Sequence, residues 1–210
     1  MQKLTSTPLL AFFTTLIIIG LMSLLGPEEK SLGANVRIVY LHGAWVLVSQ
    51  AAFILAGIIG AFGLLSGKIP SLANRQAVIY RGSAAMGLTG LVFWVTYLPL
   101  SMWAMQANWS GLFLAEPRFQ LALTFAIVGI LLQASFWLFS LPWLTALGNI
   151  VFITALLYTF SNAEYVMHPP PSPIFSSGLS VIIIFFISLI ALTGLAAFFL
   201  FQFWLKTLEK

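Results

Sequence analysis

The sequence predicts an all-α integral membrane protein of six transmembrane helices, and three observations carry that prediction. Of 210 residues, 60% are apolar and only 7% charged, against about 25% charged in soluble proteins. Nine basic and five acidic side chains cannot solvate the surface of a soluble domain this size, which excludes a water-soluble enzyme. Six stretches reach the length of about 20 mostly apolar residues that a bilayer-crossing helix needs. No stretch alternates apolar and polar residues as the strands of a membrane barrel do. Without internal repeat or composition shift, residues 1–210 read as a single six-helix transmembrane domain.

The expected spans are 8–26, 38–65, 83–105, 117–139, 142–160 and 178–204. The first is longer than the apolar core of a signal peptide, and Gly26-Pro27-Glu28 is a poor cleavage site, so a retained helix is expected. The second and sixth exceed the minimum and are expected to tilt or to project beyond the hydrocarbon. Ser140-Leu141-Pro142 makes a tight turn between the fourth and fifth, which are then an antiparallel hairpin. The third span is bounded on one side by a short basic loop, 67–81, and on the other by the aromatic segment 104–117. That segment is amphipathic, and it is expected to lie flat at the outer interface as a short helix.

Orientation follows from the basic residues of the connections. With the N-terminus inside, the inner side holds Lys3, Lys68, Arg75, Arg81, Lys206 and Lys210, and the outer side only Lys30, Arg37 and Arg118. The expectation is N-in and C-in, in a membrane of the bacterial cytoplasmic (inner) type. The net charge of +4 is scattered over segment ends rather than gathered into a face, so nucleic acid is not an expected partner and membrane lipid is.

Several chemistries are excluded. The chain has no GxxxxGK[ST] or GxGxxG loop to cradle a phosphate. It has no cysteine for a disulfide, a thiolate metal site or covalent haem attachment. No Asp, Glu, Lys or Arg lies near the middle of a span, which argues against a pump, antiporter or ion channel. Small residues recur at close spacing (Gly57, Gly60 and Gly63; Gly82, Gly87 and Gly90; Gly194 and Ala197). They predict close helix packing, with a substrate groove as the alternative.

The two histidines carry the functional reading. His42 opens the second span in Val39-Tyr40-Leu41-His42-Gly43-Ala44-Trp45, and His168 precedes the sixth in Tyr165-Val166-Met167-His168-Pro169-Pro170-Pro171. One crossing precedes the first and five precede the second, so both imidazoles belong to the same membrane face. The same face carries Trp103, Trp109, Phe113, Glu116 and Arg118. Two imidazoles could ligate a planar iron macrocycle from opposite sides. Aromatic rings would stack on its faces, Arg118 or Arg37 would pair with its propionates, and Gly43 would leave room for a flat ligand. The alternative is interfacial anchoring, in which Trp and Tyr mark the headgroup level and each histidine is a hydrogen-bonding group at a helix end.

The chain resembles the haem-handling membrane proteins of cytochrome c maturation, most closely the six-span CcmC-type family. The resemblance runs from about Pro27 to Leu200. Its best piece is Gly26-Pro27-Glu28-Glu29 followed by Val36-Arg37-Ile38-Val39-Tyr40-Leu41-His42-Gly43-Ala44-Trp45, which looks like the family's R-I-x-Y-x-H-V-P-x-A-W. The family's tryptophan-rich W-G-x-W-W-x-W-D-x-R-L-T segment falls on Trp109 to Gln120. Trp109 and Arg118 stand at matching places there, and Glu116 replaces the aspartate. Leu112, Phe113 and Ala115 stand where the family has tryptophans, Phe119 and Gln120 replace Leu and Thr, and Gly43 replaces the usual valine. The resemblance implies haem as cofactor and His42 and His168 as its axial, metal-binding ligands. Trp103, Trp109 and Phe113 would flank the ring, and a haem chaperone and an ABC transporter would be partners. It implies haem binding and haem transport in cytochrome c-type biogenesis, with no catalytic residue and no enzyme activity.

Three other readings stand beside it. The reduced tryptophan segment suits a non-catalytic accessory subunit of a larger respiratory or photosynthetic membrane complex, with the family fold kept and no haem held. An electron-transfer subunit with b-type haem or (bacterio)chlorophyll would usually place its histidines inside facing spans. An ABC permease half would show a prominent inner coupling loop, which 67–81 is too short to be.

Overall fold

A computed structural model of the chain describes residues 2–166 and 174–209. Its elements are α1 (Gln2–Leu24), α2 (Val36–Ser66), the single turn α3 (Pro70–Ala73), α4 (Gln76–Trp109), α5 (Pro117–Phe139), α6 (Pro142–Ser161), a 3₁₀ turn (Phe175–Ser177) and α7 (Ser180–Thr207). Among the described residues six helices are long and apolar enough to cross a membrane, and the fold is that of an integral, multi-pass, all-α protein. The expected spans match these helices.

Helix ends follow local chemistry. Pro117 and Pro142 open α5 and α6, where a missing N–H costs nothing and φ is already helical. Ser110 and Ser140 close α4 and α5 in the left-handed region, at φ 54° and 53°. Pro99 lies inside α4, where neighbouring groups in a membrane bundle absorb the lost hydrogen bond.

One expectation is corrected here. No separate amphipathic helix lies between the third and fourth spans: Trp103 to Trp109 are the last turns of α4, and only 110–116 connect it to α5. No helix breaker stands between Pro99 and Ser110, so the helix continues past the apolar stretch. The same effect shortens the basic loop, because α4 begins at Gln76 and carries Arg81, whose guanidinium meets Glu209 at 3.3 Å. At 34 and 31 residues, α4 and α2 are roughly 51 and 46 Å long and overreach the roughly 30 Å hydrocarbon layer.

The bundle is built on α2, which packs on α4, α6 and α7, while α1 leans on α7 and α5 contacts α4 and α6. The expected small-residue packing is present at Gly57, Gly60, Gly63, Gly87 and Gly90 but not at Gly194, where an added Cβ would meet nothing within 4 Å. A Cβ on Gly60 would stand 2.8 Å from the Ala146 carbonyl, and one on Gly87 would stand 2.8 Å from Asn149 Oδ1. A hydrogen-bonded knot crosses four helices at that level. Gln133 Nε2 of α5 donates to Asn149 Oδ1 of α6 at 3.1 Å. Asn149 Nδ2 donates to Ser83 of α4, at 3.1 Å to its carbonyl and 3.0 Å to its hydroxyl. The Ser83 hydroxyl in turn donates to the Ala56 carbonyl of α2 at 2.8 Å.

Candidate functional site

The start of α2, the end of α4 and the start of α5 share one end of the bundle. Asn35 Nδ2 ties the first two by donating to the Ala107 carbonyl at 2.7 Å. The connection before α2 is clasped onto it. Arg37 Nε donates to the Gly26 carbonyl at 2.9 Å, its guanidinium meets Glu28 at 3.3 Å, and the Tyr40 hydroxyl donates to the Pro27 carbonyl at 3.3 Å. Glu29 closes the turn by accepting from the Ser31 hydroxyl and from the amides of Ser31 and Leu32, at 2.8 and 3.0 Å. The Ser31 hydroxyl, then its amide, hold the Glu29 carboxyl below the usual carboxylate range.

His42 is half-buried six residues into α2. Its ring lies against Tyr97 of α4, with centroids 5.6 Å apart and planes tilted by 53°. Tyr97 is buried and meets Trp94 edge to face at 4.9 Å. Trp94, with no exposed surface, donates its indole N–H to the Ala122 carbonyl of α5 at 3.0 Å. The histidine thus rests on an aromatic stack rooted in the helix that begins at the candidate site. Tyr97 was not singled out from the sequence, because only the crossing of α2 and α4 brings it to His42.

The other expected site residues divide. Trp109 and Phe113 come together edge to face at 6.3 Å. Trp103 is 60% exposed, and six positions before Trp109 it points about 120° away around the helix. Glu116 caps α5, accepting from the Phe119 amide at 2.7 Å, and Arg118 is half-buried in the first turn of that helix. The room expected beside Gly43 is taken: a Cβ there would meet the Phe186 ring of α7 at 3.1 Å. His168 lies outside the described residues. Ile174, six positions later in the sequence, is buried in one cluster with Val36, Tyr40 and Ala44 of α2.

Among the described residues no three His, Cys, Asp or Glu side chains gather to hold a metal ion. Of the described side chains at this end of the bundle, the His42 imidazole is the one whose chemistry would suit an iron ligand. The intramembrane knot of Ser83, Gln133 and Asn149 contains no ionisable group, so the charge pattern of the sequence does not disclose it. An amide inside an apolar run was the available signal. No family model, curated protein or solved structure matches the chain.

Proposed function

We propose that this protein holds haem at one face of the membrane for cytochrome c assembly, without transforming it. The observation that carries the reading is the setting of His42, half-buried against Tyr97 at the bundle end that also bears Trp109, Phe113 and Arg118. In this reading the His42 imidazole would ligate the haem iron, and Tyr97 would hold that ring's orientation by packing. His168 would be the other ligand, a role that rests on the resemblance and on the odd number of crossings before each histidine. Trp109 and Phe113 offer apolar surface, and Arg118 pairs with a carboxylate. Haem, when bound, supplies the iron and the macrocycle that a partner would take. With no nucleotide-binding loop in the chain, any energy for release would come from a separate subunit such as an ABC transporter, and the recipient would be a haem chaperone outside a bacterial inner membrane.

A second reading, an accessory subunit of a larger membrane complex, is favoured by three other observations. Phe186 fills the space beside Gly43, Arg37 is engaged by Gly26 and Glu28, and Glu116 is engaged as a helix cap. In that reading, residues placed like the family's haem contacts have been turned to packing.

An absorption spectrum separates the two. Purified protein supplied with haem in detergent should show a Soret band that shifts or disappears in His42→Ala and in His168→Ala, with affinity falling at least tenfold to a hundredfold, as for the loss of metal-site partners. No band after haem is supplied, or a band unchanged in both variants, sinks the haem reading. Haem-free recovery in a complex of fixed stoichiometry selects the accessory one.

A further inference from the structure

Trp94 has no exposed surface and meets three other helices. Its ring lies 6.1 Å from that of Phe53 on α2 and 5.5 Å from that of Phe160 on α6, between centroids. Its indole N–H donates to the Ala122 carbonyl of α5 at 3.0 Å. An indole N–H away from water has to find an acceptor, and a bond to a backbone carbonyl fixes which way the ring faces. Ala122, itself without exposed surface, has too small a side chain to keep the indole from its backbone. A phenylalanine would fill this core with apolar contacts alone, so the nitrogen is what distinguishes the position.

Two residues of the candidate site are tied to this ring from opposite sides. Tyr97 is three positions further along α4 and shares its face. It meets Trp94 edge to face at 4.9 Å, and His42 rests on it at 5.6 Å. Arg118 is four positions before Ala122 on α5, one turn nearer the end of the bundle and on the same face. The backbones of α2 and α5 hardly approach each other directly. Their relation is set through α4 and α6, and Trp94 is a side chain of α4 that meets α2, α5 and α6. We infer that Trp94 is a positioning residue that sets the spacing between His42 and Arg118. A ligand carrying both a metal and a carboxylate is then held at two points, and one lacking the carboxylate loses a point. The identity of that ligand as haem rests on the function proposed above, whereas the spacing does not.

Two measurements test the inference, the first without haem. The chain has no cysteine, so Leu47→Cys and Leu123→Cys, at exposed positions of α2 and α5, place one pair of spin labels. Double electron–electron resonance on the full chain in bilayers should give a single narrow distance. Trp94→Phe keeps a ring but removes the donor, and should broaden or shift that distance. Ala122→Val crowds the same carbonyl from α5 and should act alike. Asn149→Leu breaks the separate hydrogen-bonded knot and should leave the distance as it is. An unchanged distance in Trp94→Phe and Ala122→Val overturns the inference, and so does equal broadening in Asn149→Leu. In the second measurement, the wild-type chain in detergent should prefer haem to haem with both propionates esterified by about tenfold or more, the worth of a hydrogen bond to a charged group. Arg118→Gln should erase that preference, and Trp94→Phe should erase it with Arg118 in place, while Asn149→Leu should keep it. A preference kept in Trp94→Phe overturns the inference. No haem bound by the wild-type chain overturns the proposed function instead, and the label distance then decides this inference.

Discussion

Asn149 lies seven positions into α6 and is buried, where an unsatisfied amide has no water to turn to. Its side chain is satisfied by Ser83 and Gln133. Replacing it by Leu removes these bonds, leaves Gln133 without this partner and should destabilise the bundle by about 0.6–1.7 kcal/mol, the range for hydrogen bonds between membrane helices. Reversible unfolding in mixed micelles measures this, and an unchanged midpoint would show that the knot does not contribute. Adding Gln133→Leu should then cost less than it does in the wild-type background, because the two share one bond. Asn149 and His42 are both legible in the sequence as polar residues in apolar surroundings. Their partners are not: Ser83 is 66 positions from Asn149, and Tyr97 is on another helix from His42.

At the scale of the element, hydropathy located the membrane-embedded part of each helix but not where the helix ends. The sequence Gln76-Ala-Val-Ile-Tyr-Arg81 is too polar to count as a span, yet nothing in it breaks a helix, so α4 begins there. Termini with a chemical marker, Pro117 and Pro142, fell where expected. Helix crossings were legible only as a list of small residues, which differ in use. Gly60 faces the Ala146 backbone, whereas Gly194 has nothing within 4 Å of an added Cβ. Gly60→Leu should therefore force α2 from α6 and cost about 1–3 kcal/mol, the usual range for overpacking. Gly194→Ala should lie within about 0.5 kcal/mol of wild type. Thermal unfolding in detergent compares the pair, and equal losses would refute this account of the α2–α6 crossing.

For the whole molecule, the connections alternate between the two ends of the bundle. Asn35 joins the start of α2 to the end of α4, while Arg81 and Glu209 join the start of α4 to the chain beyond α7. Because the chain has no cysteine, single cysteines report sidedness cleanly. Ser31→Cys and Ser110→Cys should react with an impermeant maleimide from one side of a sealed vesicle, and Ser71→Cys and Ser140→Cys from the other. Reaction of Ser31→Cys and Ser71→Cys from the same side would break the six-crossing topology, and with it the shared face of the two histidines.

Hydrophobic run length by itself determined that this is a six-helix membrane protein, since a helix of given composition either matches the bilayer or does not. The count of crossings, likewise a property of the linear chain, gives the expectation that His42 and His168 share one face. Only the tertiary structure decided which groups meet within that frame. Phe186 rather than open space lies beside Gly43, Tyr97 lies beneath His42, and the Trp94 indole reaches the Ala122 carbonyl. Those outcomes depend on the rotation of each helix about its own axis. That rotation is set by packing among small residues and buried hydrogen bonds, because lipid and protein interior are equally apolar and hydropathy does not tell one helix face from another.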